Sequence, residues 1–367
     1  MKKLLLLIIC LIIALFVFTL PAYALEIEKE QAEALGVDDI SKNAPVSEEI
    51  FKDLDVDNAL ETERWIKELK DYISENLFGF VKSGLKSAVS VFFVSVLCGI
   101  LMSIKTADGE FDYISLVAIF AVTAISAGSV DSFIKLAYTA SDDINTLSKA
   151  VLPTLTAAAI SGGAVTSAPI KLSICAMFMD ATISIGQKVV FPLIYAYFAL
   201  SIAGCAFRNG LLKIADMIKS VIKTILTIVC LVFTAYLSVS GIVADSADAV
   251  TAKAAKTVIS TMLPVVGSMI SDAASTVVSG VSVIRNAVGI FGILIVCSIC
   301  LIPFLKLGVN YILFKFSAVL SECITDGKVS KMIDCTAGVY NLILGVLGTE
   351  AIMLFFSLIS LIKAVTV

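Results

Sequence analysis

The sequence predicts an all-α, polytopic membrane protein. Of its 367 residues, 59% are hydrophobic and the mean hydropathy is +1.00, which is more apolar surface than a soluble domain needs. Several runs of about 18 or more residues lack charge, which is the length that crosses a bilayer as a helix. The runs are continuous rather than alternating, so they predict helices and not the strands of a closed barrel. We expect about six to ten membrane segments, including broken or re-entrant ones.

The first 24 residues have the pattern of a signal peptide. Lys2 and Lys3 precede an apolar core at 4–20, and Ala22–Ala24 offers a small-residue cleavage site. The core is slightly long for a cleaved leader, so an uncleaved anchor is the alternative. Either form exports the segment that follows, which we therefore expect outside the cytosol.

An acidic extension with an amphipathic helix is predicted for residues 25–80, before a polytopic membrane domain at 81–367. Residues 25–71 carry 15 acidic and 6 basic side chains, and the rest of the chain is net positive. Apolar residues then recur at steps of three and four along one helix face: Ile66, Leu69, Ile73, Leu77 and Phe80. This face indicates a helix that lies on the membrane, on a partner, or on the protein's own body.

Candidate spans divide the membrane domain. The clearest are 87–104, 113–130, 189–207, 224–244, 287–305 and 338–362, and the less clear ones are 152–171, 172–187, 258–280 and 309–325. The basic loop 208–223 belongs in the cytosol by the positive-inside rule. An exported N-terminus places the loop 105–112 there too, so an even number of spans must connect the two loops.

The stretch Leu152–Lys171 is apolar but unusual for a span. It contains two prolines and a Gly-Gly pair among Ala, Ser and Thr, which permit close helix approach and an interrupted backbone. Part of it resembles Met262–Ala274, as corresponding segments of an internal repeat do. The candidate packing or conduit elements are Pro153, Gly162, Gly163, Pro169, Pro264 and Gly267.

Charged residues inside apolar runs are the other candidates for function, because a charge in the membrane needs a partner or water. They are Asp180, Asp272, Lys315 and Glu350. Glu350 lies near the middle of the last apolar run. It indicates either a buried interhelical or intersubunit pair, or a role in lining or coupling a pore.

Several chemistries are excluded or disfavoured. The chain has no histidine, so it has no His-ligated metal and no Ser-His or Cys-His nucleophile pair. Phosphate-binding glycine loops and basic, aromatic-interleaved patches are absent, so we expect no cofactor, no standard nucleotide site and no nucleic-acid partner. Six of the nine cysteines sit in apolar segments and are expected to pack. Cys323 and Cys335 flank a polar loop, and their pairing is left open.

Three stretches carry a family resemblance. They read SGGAVTSA (Ser161–Ala168), LPVVGSMISDAASTVVSG (Leu263–Gly280) and RNAVGIFGILI (Arg285–Ile295), and they resemble the stage III sporulation protein AE family of endospore-forming bacteria. The order of leader, acidic extension and multi-span body fits as well. The resemblance covers the chain from about residue 80 to its end.

The resemblance implies a non-enzymatic, multi-pass subunit in the mother-cell membrane that surrounds the forespore. Its N-terminal extension would face the intermembrane space. The implied partners are the other membrane and ring subunits of the sporulation stage III complex, an ATPase subunit and a forespore membrane protein, which together are thought to form a channel or secretion-like apparatus. The alternative from the residues themselves is a self-sufficient secondary transporter, with a pseudo-repeat and the Glu350 carboxylate.

Overall fold

A computed structural model describes residues 62–104, 113–161, 167–207, 210–239, 287–325 and 327–365. Within these ranges the chain forms helices and short turns, and no strand. The predicted signal peptide and most of the acidic extension lie outside the described residues. The predicted amphipathic segment is the beginning of the first helix.

In the described ranges, seven α-helices and one π-helical turn follow one another. They are α1 (Thr62–Ile104), α2 (Tyr113–Ser161), α3 (Ser167–Ile185), the π turn (Gly186–Val190), α4 (Phe191–Ala206), α5 (Leu211–Val239), α6 (Ala287–Glu322) and α7 (Gly327–Val365). Because α3, the π turn and α4 are continuous, we name them together the α3–α4 rod.

Among the residues that the structure describes, six helical segments are long and apolar enough to cross a membrane: α1, α2, the α3–α4 rod, α5, α6 and α7. This confirms the all-α class and the prediction of a multi-pass membrane protein. Two of these segments, α2 and the α3–α4 rod, connect the loop after Ile104 to the loop before Leu211, which agrees with the even number expected. The side of the membrane on which each loop lies stays a prediction.

Contacts between the central helices set their directions. Phe133 packs edge-on against Tyr340 and Ser141 bonds Glu350, so α2 runs parallel to α7. Thr182 donates a hydrogen bond to the sulfur of Met353 at 3.1 Å, and Tyr197 lies opposite Gly338 further along. The α3–α4 rod therefore runs antiparallel to α7.

The outer helices continue the alternation. The rings of Phe178 and Phe233 touch, and Tyr197 meets Lys219, so α5 is antiparallel to the α3–α4 rod. On the other side α6 is antiparallel to α7, since Ser330 bonds Ala318 and Phe314 packs against Tyr340. The first helix, α1, runs parallel to α6, since Gly84 lies against Asn310 and Ser317 Oγ donates to the carbonyl of Ala88 at 3.3 Å. Successive segments thus alternate in direction, and the end of α5 and the start of α6 lie at the same end of the bundle.

Several of the predicted span boundaries were wrong because a charge that divides a hydropathy run does not end a helix. The predicted basic loop 208–223, for example, is mostly the beginning of α5. The candidates 172–187 and 189–207 join in the α3–α4 rod, where Lys188 simply points to the surface. The candidates 287–305 and 309–325 are one helix, α6, and 113–130 is only the beginning of α2. At the join in α6, the Lys306 ammonium lies 5.0 Å from the ring centre of Phe80. The candidate 258–280 lies outside the described residues.

The stretch Leu152–Lys171 falls on two helices. The first, α2, ends at Ser161 and α3 begins at Ser167. Because the two helices run in opposite directions, the chain turns back within the stretch. It is therefore not one straight span, and its form as a broken or re-entrant element stays a prediction.

The last helix, α7, forms the centre of the bundle. In its apolar part 78% of the residues are buried, against 22% to 44% in the other five segments. Between α6 and α7 the chain turns at Ile324, which packs on Gly99 of α1. A Cβ at Gly99 would lie 2.5 Å from Cγ2 of Ile324 and 2.6 Å from its carbonyl oxygen. The glycine is thus needed for this close approach.

Candidate functional site

Glu350 lies at the centre of the bundle, on the buried helix α7. Its exposed fraction is 0%. Ser141 of α2 donates its hydroxyl hydrogen to Oε2 of Glu350 across 2.6 Å. The contact joins residues 209 positions apart in sequence, and it holds because α2 and α7 run parallel at this level.

The π turn of the α3–α4 rod closes the site from the opposite side. A Cβ at Gly186 would lie 2.8 Å from Oε1 of Glu350 and 3.1 Å from Cγ1 of Val346. The missing side chain is what lets the rod approach the carboxyl group so closely. We therefore define the candidate site by Glu350, Ser141 and Gly186.

The π turn has a local cause in the sequence. In this wider turn the Phe191 N–H bonds the carbonyl of Gly186, five residues back. The next bond of that kind would join the Gln187 carbonyl to Pro192, which has no N–H. The hydroxyl of Tyr138 replaces it and donates to the Gln187 carbonyl at 2.9 Å.

A second bond from the π turn reaches the surface of α2. Gln187 Nε2 donates to Oδ1 of Asp142 at 2.8 Å. Asp142 is exposed and directly follows Ser141, which is buried. Polar groups therefore continue from the buried carboxyl group to the outside of the bundle between α2 and the α3–α4 rod.

The chemistry of the site is that of a single buried carboxyl group. Among the described residues no lysine or arginine lies within ion-pair distance of Glu350, and its Oε1 has no hydrogen-bond partner there. Burying an ionised carboxylate without a cation is costly. The arrangement can accept a hydrogen bond at Oε2 and hold a proton at Oε1. It offers too few oxygens for a metal, and the described part of the chain has no metal-binding group of three or more His, Cys, Asp or Glu.

The other predicted charges do not join Glu350. Asp180 of α3 pairs with Lys149 of α2 at 3.5 Å, and both side chains are more than half exposed. Lys315 of α6 forms an ion pair with Asp334 of α7. Asp272 lies outside the described residues. The two described charges thus pair with neighbouring helices instead of meeting at one centre.

Two of the six predicted packing elements are described, and they lie on different helices. Pro153 lies inside α2 and is exposed, and Pro169 lies in the first turn of α3 and is half-buried. Outside the described residues are Gly162, Gly163, Pro264 and Gly267. Their proposed part in packing or in a conduit stays a prediction.

A second polar contact between α7 and the α3–α4 rod involves Tyr197. A Cβ at Gly338 would lie 2.6 Å from the Tyr197 hydroxyl oxygen. The Lys219 ammonium of α5 lies 5.8 Å from the centre of the tyrosine ring. The thiol of Cys335 is within hydrogen-bond reach of Cys205 and Tyr197. Cys323 and Cys335 are both free thiols, so the pairing left open by the sequence is not present.

Sequence reasoning singled out Glu350 but missed the residues around it. Ser141 looks like one polar residue among several in a helix, and Gly186 like one of 21 glycines. One signal was available, since a glycine, a glutamine, a lysine and then Pro192 interrupt an apolar run within seven residues. A proline inside a long helix predicts a local distortion there.

Known proteins resemble the chain in sequence over most of its length. The family model for stage III sporulation protein AE matches residues 47–365. Stage III sporulation protein AE of Bacillus subtilis (strain 168) is 26% identical over 315 residues, which cover 84% of this chain and 77% of the relative. No solved structure matches.

Proposed function

The chain belongs to the stage III sporulation protein AE family, and on that premise we propose that it is a non-enzymatic subunit of a channel or secretion-like complex between mother cell and forespore. Membership in the family implies a role in sporulation, and the six apolar segments make it a multi-pass membrane protein. The match over residues 47–365 is the observation that carries the proposal.

The proposed location is the mother-cell membrane around the forespore. The signal-like N-terminus and the acidic residues that follow it support an extension in the intermembrane space. The proposed partners are the other membrane and ring subunits of the stage III complex and a forespore membrane protein. Since the sequence has no nucleotide-binding motif, we propose that an ATPase subunit of the complex supplies energy. The comparisons give no support to a self-sufficient transporter, and we do not propose one.

Affinity purification from sporulating cells tests the proposal. An affinity-tagged copy of the chain replaces the resident gene, and membranes are solubilised in a mild detergent. We expect the other stage III subunits to copurify and sporulation to remain normal. Cells that express the same tagged chain during vegetative growth, without its partners, are the matched control.

Two results would contradict the proposal. One is recovery of the tagged chain alone from sporulating cells, in every mild detergent in which a known membrane complex stays intact. The other is normal spore formation after deletion of the gene. A fluorescent fusion that does not surround the engulfed forespore would contradict the proposed location but not the role in sporulation.

A further inference from the structure

One face of the bundle carries charge at a level where another face is apolar. We name the first the α2–rod polar face and define it by Asp131, Lys135, Asp142, Lys149, Asp180 and Gln187. The paired lysines and aspartates on it have side-chain exposures of 46% to 74%. From Asp131 to Lys149 the face extends 18 residues along α2, or about 27 Å at 1.5 Å per residue, close to the thickness of the hydrocarbon core.

Contacts between neighbouring helices fix the depth of the α2–rod polar face along the axis of the bundle. Gln187 bonds Asp142 of α2, and Asp180 pairs with Lys149. On its other side the α3–α4 rod meets α5, with Tyr197 next to Lys219. The residues of α5 that lie opposite positions 180–190 of the rod are therefore near position 230.

The part of α5 at that level faces lipid by its composition. Its large exposed side chains there are aliphatic, with Ile228 at 53%, Leu231 at 60% and Val232 at 52%, and the exposed polar residue among them is the uncharged Thr227. Exposed aliphatic residues on a helix that is long and apolar enough to span are what a bilayer requires. The same level of the bundle thus has an aliphatic side and a charged side.

A charged side chain in the bilayer centre is costly unless it meets water or a partner. Several of them on one face would not be tolerated against lipid. They could face either water or another protein. Each charge of the face already has a partner within the chain: Lys135 lies 2.7 Å from Asp131, Lys149 pairs with Asp180, and Asp142 accepts from Gln187. No complementary charge from another protein is needed, and what remains exposed needs hydration.

We propose that the α2–rod polar face borders a water-filled space at membrane depth, opposite the lipid-facing side of α5. The inference goes beyond the proposed function, because it concerns water at this chain and holds whichever complex the chain joins. It also gives the buried carboxyl group of Glu350 a hydrated neighbour, since Ser141 bonds Glu350 and Asp142 lies on the face.

Cysteine labelling in the native membrane tests the inference. Thr139→Cys and Thr146→Cys place probes at exposed positions of the face, and Ile228→Cys and Val232→Cys are matched controls at the same level. Each is introduced into a chain whose nine cysteines have been replaced and which still supports sporulation. A charged, membrane-impermeant methanethiosulfonate is applied from both sides.

We expect both threonine positions to react at least tenfold faster than both α5 positions, which should react only after unfolding. Two results would overturn the inference. If Thr139→Cys and Thr146→Cys do not react with the reagent in the native membrane, lipid or a protein covers the face. Reaction of the same positions when the chain is expressed alone would identify the cover as a protein. Reaction of all four positions means that this level lies outside the membrane.

A measurement on the native chain covers the case in which the cysteine-free chain does not fold. The purified chain in lipid nanodiscs is treated with a water-soluble carbodiimide and a charged amine, and modified carboxyl groups are located by mass spectrometry. We expect Asp142 and Asp180 to be modified and Glu350, at 0% exposure, to be spared. Sparing of all three would contradict the inference.

Discussion

The central helix α7 meets the α3–α4 rod at two levels, and each contact sets a glycine against a polar side chain. At the upper level the glycine is Gly186 of the rod and the polar group is Glu350 of α7. At the lower level the roles are exchanged, with Gly338 on α7 and Tyr197 on the rod. Both contacts use the same device, a helix surface without a side chain, to seat a polar group between two helices.

The two contacts differ in what surrounds the polar group. Tyr197 is a rigid ring, 1% exposed, with the ammonium of Lys219 over it and the thiol of Cys335 beside it. Glu350 is a flexible side chain with one hydroxyl donor, Ser141, and without a cation beside it in the part of the chain that the structure describes. The lower contact therefore fixes the packing of the helices. The upper contact instead places the movable end of a carboxyl group against the rod.

The largest effect is expected from Gly338→Ala, which breaks the rigid contact. A methyl group there would lie 2.6 Å from the Tyr197 hydroxyl oxygen, and a buried ring cannot move aside without repacking. We expect a loss of about 2–3 kcal/mol in the free energy of unfolding, as for other overpacked cores. The midpoint of thermal unfolding in one mild detergent would measure it.

Removal of the clashing oxygen tests the cause. Tyr197→Phe in the Gly338→Ala background should recover at least half of the loss, while Tyr197→Phe alone should cost less than Gly338→Ala. Gly308→Ala is the matched control, because nothing lies within 4 Å of a Cβ at that position of α6. It should be neutral or stabilise by up to about 1 kcal/mol. Equal losses from both alanines would mean that the contact with Tyr197 is not the reason.

A smaller loss is expected from Gly186→Ala at the flexible contact. The methyl group would lie 2.8 Å from Oε1 of Glu350, the far end of a side chain that can rotate, so we expect a cost of about 1–2 kcal/mol. Glu350→Ala should relieve the clash and show a favourable coupling with Gly186→Ala in a double-mutant cycle. Glu350→Gln keeps the volume and should not relieve it.

Loss of the hydrogen bond between Ser141 and Glu350 should lower the free energy of unfolding by about 1 kcal/mol. Ser141→Ala leaves Oε2 of Glu350 without its donor. Glu350→Gln should cost no more than this, because an amide oxygen still accepts from Ser141 and no charge is needed at the site. If Glu350→Gln unfolds the protein at a much lower temperature than Ser141→Ala does, the carboxyl group is required in its ionised form and a cation has to be present near it.

The class of the fold followed from the sequence, because long uncharged runs have one structural solution in a membrane. The prolines and glycines of Leu152–Lys171 disfavoured one straight helix, but they did not distinguish a re-entrant element from the ends of two long helices. Glu350 was recognised from its setting in an apolar run. These features depend on composition and local order, which one chain displays directly.

The partners of Glu350 could not be predicted. Ser141 lies 209 positions away, and which face of α2 meets α7 depends on how six segments pack together. The continuity of the α3–α4 rod was missed for a different reason. Lys188 ended the predicted span, although the side chain reaches the surface and a π turn accommodates Pro192 without ending the helix.

The smallest effect is expected from Lys219→Met, which sharpens the comparison without disturbing either glycine contact. The methionine keeps most of the volume of the lysine but removes the ammonium 5.8 Å from the ring centre of Tyr197. A cation–π contact contributes roughly 0.5–1 kcal/mol at exposed sites and about 2 kcal/mol when desolvated. Because this ammonium lies near the distance limit of such contacts, we expect the loss to fall at the lower end of that range. Lys213→Met, at an exposed position of the same helix, is the control and should be neutral. If both substitutions are neutral, the rigidity of the lower contact comes from the packing of Tyr197 against Gly338 alone, and the difference between the two contacts is one of shape and not of charge.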